Sequence, residues 1–165
     1  MTAKAAGPDA GPAERLERAL ELAYRHLARR DRTVLEVRRH LVSRGVDGDT
    51  VEAALAELAV QGYLDDARYA ARFAEDRRSI DAWGGERIAR RLLDAGVARE
   101  HVEAALRDRE QTEELEAAVA VLRRRLPEPP RTDRARERAL GLLVRRGYEL
   151  ELAYEAVRAF ERHAA

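Results

Sequence analysis

From about Ala13 to about His163 apolar side chains recur at three- and four-residue spacings, the period of one face of an α-helix. Alternating β-branched runs joined by hairpin turns are missing throughout, so nothing in the pattern asks for a strand. The pattern predicts an all-α chain of nine helices in three sets. The first helices of the sets fall at about 13–30, 66–79 and 111–126, the second at 33–44, 85–95 and 133–146, and the third at 50–60, 99–107 and 149–162. Residues 1–12, MTAKAAGPDAGP, are small, Pro/Gly-rich and aperiodic, which predicts a disordered tail.

The three sets are related by a fixed offset of 51 residues. That offset superposes Leu41, Leu92 and Leu143; Gly45, Gly96 and Gly147; and Ala54, Ala105 and Ala156. Val37, Ile88 and Ala139 fall in register as well, and no gap is needed. Fixed-period self-similarity is the signature of an array of structural repeats. The boundaries that follow are 13–65, 66–108 and 109–165. A three-helix unit of about 50 residues has little core of its own and leans on its neighbours. The expected architecture is therefore an elongated, curved row of helix-turn-helix-like modules.

Local signals agree with the helix assignments. Each second helix ends at a matched glycine, where the left-handed C′ position excludes most side chains. Thr33 with Glu36, and Asp49 with Glu52, have capping-box spacing. Asp65 and Asp66 offer an N-cap for the helix carrying Tyr69, Ala70 and Phe73. SIDAWGG at 79–85 and LPEPP at 126–130 read as the breaks after first helices.

Composition narrows the function classes. Charged residues make up 38% of the 165 residues, yet 31 basic and 31 acidic side chains cancel to a net charge of zero. A coat protein for phosphate is disfavoured by that balance. Cysteine is absent, so disulfides, thiolate metal sites and a cysteine nucleophile are excluded. No apolar run approaches the roughly 20 residues of a membrane helix, and no signal-type run follows Lys4; the expectation is a soluble cytoplasmic protein. His26, His40, His101 and His163 lie far apart without metal-ligand spacing, and Gly84-Gly85 lacks the lysine of a phosphate loop. Asp65-Asp66 is better read as a helix cap than as an acidic site. The expectation is no enzyme, no metal and no cofactor.

The zero is a sum of unlike parts. Between Ala23 and Val46 seven arginines face Asp31 and Glu36, whereas Asp47 to Asp66 holds six acids and no base. Arg123–Arg146 holds nine arginines against three acids, and Glu149, Glu151 and Glu155 follow. Second helices are basic and third helices acidic in the first and third sets. This is either an ordinary solvated surface of paired neighbours or a striped surface that orients a protein partner of both signs. A groove-reading helix-turn-helix would need a basic final helix, but TVEAALAELAV carries only Glu52 and Glu57. Tyr69, Phe73 and Arg77 share one stripe, with Arg77 expected to lie along it over Tyr69. Trp83 either packs a module junction or anchors a partner.

The run Gly62-Tyr63-Leu64-Asp65-Asp66-Ala67-Arg68-Tyr69-Ala70-Ala71-Arg72-Phe73, followed by Arg77, resembles the signature of the RecX family, regulators of the RecA recombinase. The segment from Gly84 to Val97 is similar to that family's second module. The resemblance covers about residues 14–108; the third copy departs from it with LPEPP between its first two helices. It implies a tandem three-helix-repeat protein, expected to be monomeric, that lodges in the groove of the RecA filament on DNA. There it would restrain ATP hydrolysis, strand exchange and the SOS co-protease activity, with nucleic-acid contact weak or secondary. The alternatives are a helix-turn-helix-like DNA-binding regulator and an adaptor for another assembly. Asp65, Asp66, Tyr69, Ala70, Phe73, Arg77 and Gly84 carry over as mainly structural positions. Candidate partner contacts are Arg29, Arg30, Arg38, Arg39 and Arg123, Arg124, Arg125, the densest positive faces, with Arg77 and Trp83 added.

Overall fold

A computed structural model describes residues 11–107 and 109–162. Among them are nine α-helices and no strand. In order they are α1 Pro12–Leu27, α2 Val34–Ser43, α3 Gly48–Val60, α4 Asp66–Asp81, α5 Gly85–Asp94, α6 Arg99–Arg107, α7 Gln111–Arg125, α8 Asp133–Arg145 and α9 Leu150–Arg162. Most of the expected tail, residues 1–10, and His163 lie outside the described residues. Helix α1 starts within the expected tail, at Pro12, with Gly11 as its N-cap. Proline suits this first position, because its missing N–H would have no helical partner there and its φ is already helical.

The matched glycines end their helices as the chain pattern requires. Gly45, Gly96 and Gly147 have φ of 78°, 84° and 87°. After α2, the Val46 amide donates to the Leu41 carbonyl and the Gly45 amide to Val42. After α8, Tyr148 and Gly147 repeat both bonds to Leu143 and Val144. This is the Schellman arrangement, in which a left-handed residue turns the last orphan carbonyls inward to amide donors. Gly62 closes α3 the same way, a fourth instance that the 51-residue offset does not reveal.

The described chain forms two compact units. Unit 1 comprises residues up to Tyr69 together with Ala95–Ala98. Here α1 packs on both α3 and α2, around Ala19, Ala23, Val37, Leu41, Leu55 and Leu58. The alanines of α1 are the close-approach points, each almost fully buried. Thr33 completes the capping box, receiving the Glu36 amide while its own amide donates to the Glu36 carboxylate. Its buried hydroxyl also donates to the Ala95 carbonyl at 2.6 Å, and Leu35 lies against Gly96. The start of α3 differs from expectation: Asp47, not Asp49, is the N-cap, accepting the Thr50 amide and hydroxyl. Both aspartates have cap chemistry, but the chain enters the helix at Gly48, which leaves Asp49 in the first turn.

Unit 2 holds Ala70–Asp94 and the chain from Arg99 onward. Its core gathers Leu122, Leu143, Tyr148, Leu152, Val157 and Phe160, with α7 packed chiefly on α9. Tyr148 is buried, and its hydroxyl donates to the Ala82 carbonyl at 3.2 Å. Helix α4 runs two residues beyond the expected end and stops where Ala82 takes a left-handed φ of 52°. The Trp83 amide then closes that end on the Arg77 carbonyl. Arg78 reaches the carbonyls of Ala105 and Leu106, capping the end of α6.

Candidate partner-binding surface

The motif carboxylates are helix caps. Asp65 Oδ1 accepts the Arg68 amide at 2.8 Å, starting α4. Asp66 Oδ1 accepts the Val34 amide at 3.0 Å, satisfying a donor in the first turn of α2. Each removes an orphan N–H and places negative charge at a helix N-terminus. Ala70 is fully buried. Tyr69 is half-buried beside Arg30 and Glu36; burial, reinforced by the Glu36 carboxylate, pushes its hydroxyl pKa up.

Arg77 does not lie over Tyr69. Its guanidinium sits 5.5 Å from the Phe73 ring centroid and 5.7 Å from that of Trp83, and it pairs with Asp81 one turn on. Phe73 and Trp83 meet edge to face at 6.3 Å, and the Arg87 guanidinium covers Trp83 at 4.0 Å. Trp83 is thus held between cations and partly buried, an arrangement that packs unit 2. Gly84 serves the same packing, since its amide donates to the Arg146 carbonyl.

The candidate arginines divide into two groups. Arg30 is held by Glu36 at 2.6 Å, and Arg38 is paired with Glu52. Arg29 and Arg39 are exposed and form no ion pair among the described residues. Arg123, Arg124 and Arg125 are exposed in the last turn of α7, where the helix dipole favours cations. Acidic exposure persists on α3 at Asp49, Glu52 and Glu57 and on α9 at Glu151 and Glu155.

Two arrangements are not evident from the sequence. His26 and His40 stack with ring centroids 3.9 Å apart and planes 4° from parallel. Burial lowers both pKa values, helped by Arg44, Arg32 and Arg29 around His40 and by His40 and Arg32 around His26. The second is a notch in unit 2 lined by Arg87, Arg90, Val144, Arg145 and Gly147. Its signal was present in part: Arg87 and Arg90 stand at i, i+3 on one face of α5. Among the described residues no group of three or more His, Cys, Asp or Glu is placed to hold a metal ion. No helix among them is long and apolar enough to cross a membrane.

Comparison with known proteins places this arrangement. Family models for the first and second three-helix domains of RecX match residues 19–58 and 65–106. The regulatory protein RecX of Mycobacterium avium (strain 104) is 33% identical over 162 residues, covering 96% of this chain and 94% of that protein. That of Xanthomonas axonopodis pv. citri (strain 306) is 36% identical, covering 81% and 80%. The crystal structure of RecX from Lactobacillus salivarius superposes with a TM-score of 0.80 at 17% identity, covering 91% of this chain and 99% of the other. The fold is that of tandem three-helix domains, and the chain belongs to the RecX family of regulatory proteins.

Proposed function

We propose that this protein is a negative regulator of RecA that binds the RecA filament on DNA. In that role it restrains ATP hydrolysis, strand exchange and the SOS co-protease activity. The carrying observation is the likeness to RecX regulatory proteins along nearly the whole chain. Further support comes from the surface, where exposed arginines on and beside α2 stand next to an acid-bearing α3. Such a two-signed face orients a protein lining better than it coats a polyanion. The reading keeps the 51-residue repeat offset, with modules at 13–65, 66–108 and 109–165, and a cytoplasmic monomer. Arg29, Arg39 and Arg123–Arg125 are its filament contacts, whereas Arg30 and Arg38 set the local charge pattern.

A groove-reading DNA regulator is less well supported, since the exposed acids of α3 would face phosphate. The deciding experiment is RecA-catalysed ATP hydrolysis on single-stranded DNA with this protein added below stoichiometry. A falling rate with co-sedimentation on the filament is the expected result. An unchanged rate at every ratio, with no co-sedimentation, removes the proposal.

A further inference from the structure

Helix α9 has two unlike faces. Leu152, Ala153, Ala156, Val157, Ala159 and Phe160 are buried in the core that α9 shares with α7 and α8. The outer face carries Leu150, Glu151, Tyr154, Glu155, Arg158 and Arg162, all exposed. At 3.6 residues per turn these six fall within roughly 140° of arc. Leu150 and Tyr154, one turn apart, are each about half exposed, which leaves an apolar pair open to solvent. None of the four charged side chains forms an ion pair among the described residues, although the neighbouring Glu161 is held by Arg136 at 2.7 Å.

The order of these charges is specific. Glu151 and Glu155 occupy the first half of the face, Arg158 and Arg162 the second. The helix dipole favours acids at its start and bases at its end. That same order makes the face complementary to itself when it is reversed. In an antiparallel pair of α9 helices centred between Ala156 and Val157, Glu151 stands opposite Arg162 and Glu155 opposite Arg158. Two-fold symmetry makes each pairing twice. Sliding the copies by one turn keeps one kind of pair instead of two, and a parallel arrangement sets like charges side by side.

We propose that the outer face of α9 docks on the same face of a second copy of this chain, antiparallel and two-fold symmetric. Leu150 and Tyr154 lie to one side of the charges round the helix, so the tyrosines of both copies flank the centre together. A partner of one sign, whether nucleic acid or an acidic or basic peptide, is repelled by half of this face. A second copy supplies both signs in the reversed order. One helix face is small beside a standard interface, so the pair is weak, with a Kd on the order of 0.1 mM. The dilute chain therefore stays monomeric, the form that the filament reading uses. The inference does not rest on that reading, and its test contains no RecA.

The test is sedimentation velocity of the full chain from about 5 to about 500 µM, a range that brackets this Kd, at low and high salt. A reversible monomer–dimer equilibrium that salt weakens is the expected result. Glu151→Arg/Glu155→Arg and Arg158→Glu/Arg162→Glu should each weaken self-association about tenfold or more, because like charges then meet. Mixed together, the two variants should pair with each other, which also shows that both remain folded. Glu151→Gln/Glu155→Gln, which spares the helix start a positive charge, should weaken pairing about threefold, with circular dichroism unchanged. A chain carrying Asp49→Arg/Glu57→Arg has the same net charge as the first variant and should not pair with the second beyond the parent's level. A monomer at every concentration overturns the proposal and leaves these charges serving the helix dipole alone. A dimer indifferent to the α9 variants, or a mixture no tighter than with the Asp49/Glu57 control, overturns it as well.

Discussion

Gly84 lies against the backbone of Gly147. A Cβ on Gly84 would fall 2.3 Å from the Gly147 carbonyl oxygen and 2.5 Å from the Tyr148 nitrogen. Gly84, a motif position, and Gly147, a repeat position, therefore meet at one close approach that neither pattern alone foretells. Backbone cannot swing aside as a side-chain tip can. The contact fixes the turn after α4 to the turn after α8, and with it the Tyr148 bond to Ala82.

The first prediction separates crowding from conformation. Gly45→Ala and Gly147→Ala both impose a left-handed alanine, at about 1–2 kcal/mol. Nothing lies within 4 Å of a Cβ at Gly45, whereas Arg87 lies within 3 Å of one at Gly147. Gly147→Ala should thus carry a further ~1–3 kcal/mol of overpacking, whereas Gly84→Ala, which is not left-handed, should carry the overpacking alone. Urea denaturation measures the difference; equal losses at Gly45 and Gly147 would contradict it.

Thr33 is a second sensitive point, because one hydroxyl serves two partners. Thr33→Val keeps the shape but leaves the Glu36 amide and the Ala95 carbonyl without their partner. The expected cost is about 2–3 kcal/mol. Thr33→Ser retains both bonds and should cost about 1 kcal/mol for the lost methyl. Thermal unfolding of the two variants side by side gives the ranking, and a serine variant as unstable as the valine would refute it.

Unit 1 should lose stability in mild acid. The folded state depresses the pKa of both His26 and His40, so the unfolded chain binds protons first as pH falls. The stabilisation is complete above the unfolded histidine pKa. It declines as pH drops through about 6.5 and on toward the folded values. Urea midpoints between about pH 7.5 and pH 5.5 should fall for the parent and fall less for His26→Asn/His40→Asn. Parallel curves for the two proteins would show that the stacked pair is not the source.

The pairing of arginines predicts an order of effects on the filament. Arg29→Glu/Arg39→Glu should weaken binding to RecA filaments about three- to tenfold, mainly through slower association. Arg38→Ala should change it less, since that charge is already opposed by Glu52. Surface plasmon resonance at two salt concentrations reads both rates. An Arg38 effect exceeding that of the Arg29/Arg39 pair would reverse the assignment.

Much of this fold is legible in the residue order. The glycines in register mark three left-handed helix ends, and Thr33 with Glu36 announces its capping box. These signals are local, completed within one turn of chain. Signals that depend on distant neighbours are less legible. Asp47 and Asp49 offer the same cap, and only the path of the chain selects Asp47. Arg29 and Arg30 are adjacent, yet only Arg30 meets Glu36, because the turn into α2 points it there. Arg77 turns to Trp83 rather than Tyr69 because Ala82 reverses the chain after α4. The notch joins arginines 58 positions apart, so no window along the chain contains it.

Asp65 and Asp66 are neighbours that serve different helices, one at the start of α4 and the other in the first turn of α2. Exposed connections ordinarily absorb insertions and deletions. This one cannot, because a single added or missing residue there rotates both carboxylates away from their amides at once. The short link after Leu64 therefore acts as a ruler, tolerant of changed side chains at its open positions and intolerant of a changed length.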